Sequence, residues 1–331
     1  MLPVAVDAMG GDKAPGDIVA GAAEAARDLG IPVVLVGPPD LVGDTQGLDL
    51  VPCTEVIAME EEGARAVRRK KDSSLVRCAE LVRDGAASAM FSAGNTGATV
   101  ASALLRMGRL RGVNRPAIAT PIPVPGTTPT VLLDAGANAE VQAPWLVQFA
   151  QMGTAFARAR YGIEAPRAGL LNIGEEPTKG TELQKTAFGL LAGAPGIRFI
   201  GNIEGRDLLS DRVDVAVTDG FTGNVALKTL EGGLTFLRDA VFGAMMSSDE
   251  AIKASEVLMP LLVPLAEELD PDSHGGAMAL GLQGVCIIGH GSSSPRAVVN
   301  ALKVARDMVE GDLVGRVAAA VSVQGPAPRV E

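Results

Sequence analysis

A doubly wound α/β fold, a mostly parallel sheet with helices on both faces, is what this sequence predicts. Short apolar runs recur along the chain without polar alternation, as expected of strands buried on both sides. Most are followed by a helical pattern, and each run stops abruptly at Gly, Asn, Asp or Ser. Apolar side chains make up 47% of the 331 residues but aromatics only 3%. The core must therefore be built from Ala, Val, Leu and Ile, a mix suited to parallel strands under closely packed helices.

In chain order the strand-like runs are "VAVDAMGG", "PVVLVGP", "SAMFSAGN", "TVLLDAGAN", "AGLLNIGEE", "IRFIGNIEG", "VDVAVTDGFTGN" and "GVCIIGHGSS". The alternation holds through most of the chain, so residues 1–331 read as one large α/β unit with a crevice between subdomains. One segment breaks the rhythm. "AIKASEVLMPLLVPLAEELD", residues 251–270, is apolar at its centre and carries Pro260 and Pro264. Prolines there are expected to break a helix or cap a helical hairpin. Residues 245–270 thus read as a helical, apolar-tipped excursion for core, dimer or membrane-surface contact; the apolar centre is too short to span a bilayer, which takes about 20 residues.

Composition excludes several classes. A formal net charge of −10 argues against a general nucleic-acid binder, which needs a basic face. Cys53, Cys78 and Cys286 are far apart and odd in number, so neither a disulfide framework nor a metal site is expected. Two histidines, His274 and His290, exclude a multi-histidine metal centre. The opening "MLPVAVDAMGGD" lacks a basic leader with a long apolar run, so a cytoplasmic location is expected. Two basic clusters, Arg68 to Lys71 and Arg106 to Arg115, read either as solvated helix faces or as docking sites for an acidic partner.

In an open α/β sheet, ligands sit at the carboxyl ends of the strands. Asp7, Asn95, Asp134, Asn138, Asn172, Asp219, Asn224 and His290 all stand at such ends and are expected to converge on one crevice. Two hinges share one construction, "SAGNTGA" at 92–98 and "VTDGFTGNVALK" at 217–228. In each, Gly94 and Gly97 or Gly223 allow close backbone approach, Asn95 and Thr96 or Thr222 and Asn224 add hydrogen bonds, and a helix N-terminus supplies free N–H groups. Asn224 is read as the cap of the second helix. Neither hinge has the spacing of a Walker loop or a dinucleotide fingerprint, so phosphate without a nucleotide is the economical ligand. Lys179, in "NIGEEPTKG", lies past an apolar run where it can pair with phosphate or steady an oxyanion, or simply meet solvent. His290 follows an apolar run among serines; no local motif marks it as the base for a nucleophile.

"VAVDAMGGD", "SAGNTGA", "DAGAN", "NIGEEPTKG", "GNIEGRD", "DVAVTDGFTGNVALKTLEG" and "GHGSSS" occur in this order and resemble the acyl-ACP:phosphate acyltransferase (PlsX) family. The resemblance runs from about residue 4 to about residue 310; the tail "VAAAVSVQGPAPRVE" lies outside it. It implies a fold similar to that of isocitrate dehydrogenase and phosphotransacetylase, and transfer of a fatty acyl group from acyl carrier protein to inorganic phosphate for phospholipid synthesis. It also implies a homodimer, peripheral contact with the cytoplasmic membrane, and a glycerol-3-phosphate acyltransferase as consumer of the product. No cofactor and no metal are called for. In matching motifs, Lys179 and Asn224 are implied to neutralise charge and stabilise the oxyanion, and Asp219 to orient Lys179 or phosphate. Gly94, Asn95, Thr96, Gly97, Asn138, Thr222, Gly223 and His290 are implied to form the substrate seat. Competing readings are a phosphate acetyl- or butyryltransferase using acyl-CoA, a metal-dependent dehydrogenase of similar fold, and a catalytically silent scaffold.

Overall fold

The computed structural model describes residues 1–322. Strands and helices alternate in the order β1 (Val4–Asp7), α1 (Gly16–Leu29), β2 (Val33–Gly37), α2 (Pro39–Val42), β3 (Asp49–Pro52), α3 (Gly63–Arg69), α4 (Ser74–Arg83), β4 (Ala89–Ser92) and α5 (Thr96–Arg106). Next come β5 (Ala117–Ile122), β6 (Thr130–Leu133), α6 (Ala143–Tyr161), β7 (Arg167–Leu171), α7 (Glu182–Ala192), β8 (Arg198–Ile203) and β9 (Val215–Val217). The chain continues with α8 (Gly220–Met245), α9 (Asp249–Leu269), β10 (Ala277–Leu280), β11 (Val285–Ile288), α10 (Pro295–Glu310) and α11 (Leu313–Ser322). All the apolar runs quoted above are strands. β3, β5 and β10 are additional.

Eleven strands form one sheet in the order β3-β2-β1-β4-β11-β10-β5-β6-β9-β7-β8. The pairs β10/β11, β10/β5 and β5/β6 are antiparallel, and the other neighbours are parallel. Two parallel blocks therefore run in opposite directions on either side of β10 and β5. The register brings their ends together. Val6, Phe91, Ile287, Met278, Ala119, Leu133, Val217 and Leu170 follow one another across the sheet as paired residues. That row passes within one residue of the carboxyl end of β1, β4, β11, β6, β9 and β7. Strands of both directions thus stop at a common waist, and the loops leaving them flank it from above and below.

Side chains alternate across this sheet. Val4 and Val6 pack with α1, α6, α10 and α11 on one face, whereas Ala5, Met90 and Ile288 pack with α3, α4 and α5 on the other. On the second face α3, α4 and α5 cover only the first block. A smaller cluster beyond it, Ile122, Leu132 and Ala216, is met by Leu227 and Leu230 of α8. The strip between these two coverings is left open beneath α8 and α9.

α8 and α9 form a long hairpin whose side chains are mostly exposed; only Gly220 and Gly223 of α8 and Ser255 of α9 are buried. The segment at 245–270 is the second arm of this hairpin together with its turn. Contrary to the expected break, α9 is continuous through Pro260 and Pro264. A proline removes one helical N–H and leaves a carbonyl without its donor. On a helix this exposed, water takes that place. Ser248 caps α9 by accepting from the Ala251 N–H, and Glu268 ties its far end to the Gly126 N–H in the β5–β6 turn. Among the described residues no helix is long and apolar enough to cross a membrane.

Candidate active site

The open strip is a cavity of about 850 Å³. Its floor includes Ile118, Ile122, Ala277 and Ile288, and its roof is the hairpin, with Leu227, Leu230, Leu234, Val241 and Met245 from α8 and Leu262, Leu265 and Leu269 from α9. At the strand ends the lining turns polar: Thr96, Asn224, Lys228, Glu231, His290 and Ser292. A largely apolar barrel thus leads to this polar head, with Arg238, Glu267, Asp270, Asp272 and His274 also in its lining.

The head is built by the two hinges. Asn95 caps α5, accepting from the Ala98 N–H at 2.9 Å, and its amide donates to the carbonyls of Met59 and Glu61 at 2.7 and 2.9 Å. Its amide N–H groups and carbonyl oxygen are thereby engaged with protein, so it holds the hinge closed; Thr96, at the first helical position, is the exposed residue that lines the cavity. The other hinge corrects the sequence reading. Asp219, not Asn224, is the cap of α8, accepting from the Thr222 N–H and hydroxyl at 2.8 Å each. Helix therefore begins at Gly220, and Asn224 stands in its second turn.

Gly220 and Gly223 let α8 press onto the turn after β6. A Cβ on Gly220 would lie 2.6 Å from the Asn138 carbonyl oxygen, and one on Gly223 would collide with the Asp134 carbonyl. Gly220 N–H donates to the Asn138 carbonyl at 2.7 Å. This places the Asn224 amide 3.2 Å from the Ala135 carbonyl, to which it donates. An amide has two N–H groups, so one is left for the cavity. One helical turn further, the Lys228 ammonium lies 3.4 Å from His290 Nε2 and 2.7 Å from Glu231. His290 Nδ1 is 2.8 Å from the Ser292 hydroxyl. The Ser292 N–H also faces Nδ1, at 3.4 Å. Asn224, on the helix that leaves β9, meets the turn after β6, and His290 stands at the exit of β11. The first turns of α8 and the Lys228 side chain together bridge the waist between the two blocks.

The remaining strand-end polar residues lie along the same row but outside the cavity lining. Asp134 is fully buried and accepts five hydrogen bonds, from the Ile118, Gly136, Ala137 and Asn138 N–H groups and the Asn138 amide. Burial raises its carboxyl pKa, and these bonds oppose the rise. Asn138 also donates to Pro116. Asp7 is buried, accepts from Ser92 at 2.7 Å and is likewise raised by burial. A buried carboxylate encircled by its own turn's N–H groups sets loop shape and has little capacity left for a ligand. Gly94 packs against Gly10. Asn172 donates to the Lys179 carbonyl and accepts from Ile173. Lys179 itself is exposed on the loop after β7 and does not line the cavity. β7 lies two strands from β6, about 10 Å at ordinary strand spacing, so its ammonium meets Asn224 only if that loop folds over the head.

Lys228, Glu231 and Ser292 were missed from the sequence. For Lys228 the signal was present: it follows Asn224 by four residues, the spacing that puts two side chains on one helix face. Among the described residues there is no group of three His, Cys, Asp or Glu side chains placed to hold a metal.

Comparison with known proteins bears on the family and the fold. A family model described as "Fatty acid synthesis protein" matches residues 2–316. A phosphate acyltransferase of Heliobacterium modesticaldum is 46% identical over 326 residues, with 96% of each chain covered. One from Pelotomaculum thermopropionicum is 47% identical over 324 residues, covering 95% of this chain and 93% of the relative. Among solved structures, a phosphotransacetylase from Staphylococcus aureus superposes with a TM-score of 0.59 at 15% identity, covering 93% of this chain and 94% of its own. A 4-hydroxythreonine-4-phosphate dehydrogenase from Klebsiella pneumoniae gives 0.55 at 12% identity, over 93% of this chain and 100% of its own. These two share the fold. On the near full-length match to the family model and to its relatives, this chain belongs to the fatty acid synthesis protein family, that of the phosphate acyltransferases.

Proposed function

We propose that the chain transfers a fatty acyl group from the thioester of acyl carrier protein to inorganic phosphate, giving acyl phosphate and the free carrier thiol. The observation that carries this reading is the single cavity with a polar head and a long, largely apolar barrel. The lining runs along α8 from Asn224 to Met245, 21 residues or about 31 Å of helix, far more than an acetyl or butyryl group needs. That length favours a long-chain donor over the acyl-CoA phosphotransacylase alternative.

Phosphate sits between the Lys228 ammonium, Thr96 and the N-terminal end of α5. A phosphate oxygen attacks the thioester carbonyl, an O–C bond forms, and charge gathers on the carbonyl oxygen. The free N–H of Asn224 donates to that oxyanion. Lys179 approaches from the β7 side to add positive charge, while Asp219 holds the start of α8. The oxyanion then collapses to a carbonyl as the C–S bond breaks, and the leaving sulfur takes up the proton given up by the attacking hydrogen phosphate. A thioester is already activated, so positioning and charge neutralisation are the main tasks and no covalent enzyme intermediate is needed.

The exposed apolar face of the hairpin, with Phe236 76% and Leu261 72% exposed, supports two further parts of this reading. A homodimer contact covers part of the face, and the tip of α9 touches the cytoplasmic membrane, where a glycerol-3-phosphate acyltransferase takes the product. Acyl phosphate formation from acyl carrier protein, measured for wild type, Asn224→Ala, Lys228→Met and Lys179→Ala, tests the assignment. Losses of about 100-fold or more are expected for the first two variants. Wild-type rates in both would show that the head lies elsewhere, and a loss confined to Lys179→Ala would move the charge-neutralising role to the β7 loop.

A further inference from the structure

The two basic clusters are not equivalent in the folded chain. On and around α3, Glu60, Glu61, Glu62 and Asp72 accompany Arg65, Arg68, Arg69, Lys70 and Lys71. Glu61 lies 2.5 Å from both Arg69 and Lys70, and Asp72 lies 3.5 Å from Arg77. Arg65, Arg68 and Lys71 are exposed and outside these ion pairs, but Glu60 and Glu62 stand among them, so five cations on and around α3 meet four carboxylates. The other lies in a stretch without any acidic residue, from Gly85 to Leu133. Arg106 at its start is paired with Glu80 at 3.7 Å. Arg109, Arg111 and Arg115 are exposed, and among the described residues none of the three is in an ion pair.

Two of these guanidinium groups, those of Arg109 and Arg115, are held in place. Arg109 donates to the Asn114 carbonyl, and Gln283 donates to the Arg109 carbonyl at 3.1 Å. Leu110 N–H donates to Gly281 at 2.9 Å, and Arg115 lies 5.2 Å over the Trp145 ring. The loop feeds straight into β5, and Arg115 is three residues from Ile118 in the cavity floor, at most about 10 Å of extended chain. Proximity alone does not separate the clusters, since Gly63 of α3 packs on Gly97 and Ala98 beside Thr96. Charge does.

Resting on the functional reading above, we infer that Arg109, Arg111 and Arg115 form the docking surface for the acidic carrier protein that presents the acyl thioester. An acidic partner is repelled by a chain of net charge −10 over most of its surface. An uncompensated patch of three guanidinium groups beside the cavity, two of them held by neighbouring residues, gives it one attractive approach. The α3 cluster offers no comparable surplus.

The test compares two donors that share one thioester: acyl carrier protein, and the same acyl group on pantetheine. In Arg109→Glu/Arg111→Glu/Arg115→Glu, KM for the carrier donor is expected to rise by about tenfold or more, with the pantetheine donor turned over as in wild type. Wild-type turnover of the carrier donor should slow as salt is raised. Arg65→Glu/Arg68→Glu/Lys71→Glu should behave as wild type with both donors. Because Arg115 also packs on Trp145, the double variant Arg109→Glu/Arg111→Glu checks that the effect survives without that loss. An unchanged KM for the carrier donor, or equal losses with both donors, overturns the docking surface. Turnover of neither donor by wild type overturns the functional reading, and the docking surface with it.

Discussion

Replacing Gly220 by alanine probes the contact that places Asn224. The new Cβ would lie 2.6 Å from the Asn138 carbonyl oxygen and 2.9 Å from the backbone carbon and nitrogen of the same residue. Ordinary contact begins near 3.4 Å, so the first turn of α8 must retreat by about 0.8 Å, because backbone atoms cannot rotate away. Asp134 anchors the opposing turn through five hydrogen bonds, so most of the movement falls on α8. Asn224 and Lys228 move with the helix. A misplacement of about 1 Å in a reacting site costs on the order of 100-fold, whereas overpacking costs about 1–3 kcal/mol of stability. We therefore expect acyl phosphate formation to fall by about 30- to 100-fold while the chain stays folded and melts a few degrees lower. Gly232→Ala, on the same helix with nothing near its new methyl, should instead stabilise the helix by about 0.5–1 kcal/mol and leave the rate alone. An activity within twofold of wild type for Gly220→Ala would refute the claim that the close approach of α8 sets the site.

Leu234→Trp should fill the apolar barrel and lower turnover of long acyl donors well before short ones; equal effects on both would place the acyl chain elsewhere. Leu261→Glu, at an exposed position of α9, should reduce binding to anionic lipid vesicles without slowing turnover of a soluble donor, and undiminished binding would remove α9 from the membrane contact. Burial pushes the thiols of Cys53 to about 11 and Cys286 to about 12, so neither should react with a thiol reagent in the native chain at pH 8, while all three cysteines react after denaturation. The sign for stability follows: unfolded thiols ionise near pH 8.5 and the folded ones only above 11, so this contribution is complete below about pH 8.5 and is lost as pH rises through 11–12. Native labelling at pH 8 would show that these thiols are not held as described.

Legibility varied with the range of the interactions involved. The runs ending "VAVD", "VLLD" and "VAVTD" were readable because a strand buried on both faces has a local signature. β5 and β10 were not. "AMAL" has no β-branched residue and "AIATPI" carries a proline; their identity as strands comes from the neighbours on either side. Those two strands reverse the sheet. Without them the meeting of both parallel blocks at one waist is invisible, and with it the reason why some strand-end polar groups share a cavity and others do not. The Asn224 cap was misread for a related reason: "TDGFTGN" offers several residues able to cap, and the choice of Asp219 is made where Gly220 docks on Asn138.

What the chain's own pattern settles is local: a buried strand, a polar stop, a glycine that permits a tight approach, and a cap that starts the next helix. These depend on side-chain size, backbone freedom and hydrogen bonds over a few residues. Tertiary structure decides which stops face each other. Asp134 and Asp219 look like ligands in the sequence and accept from residues of their own turns, whereas Asp7 accepts from Met9 and from Ser92 on the neighbouring strand. Lys228 looks like one more helix lysine, and it enters the site because α8 carries it from the exit of β9 to His290 at the exit of β11. No spacing along the chain records that crossing, since 62 residues separate the pair and only the register of the sheet brings them together.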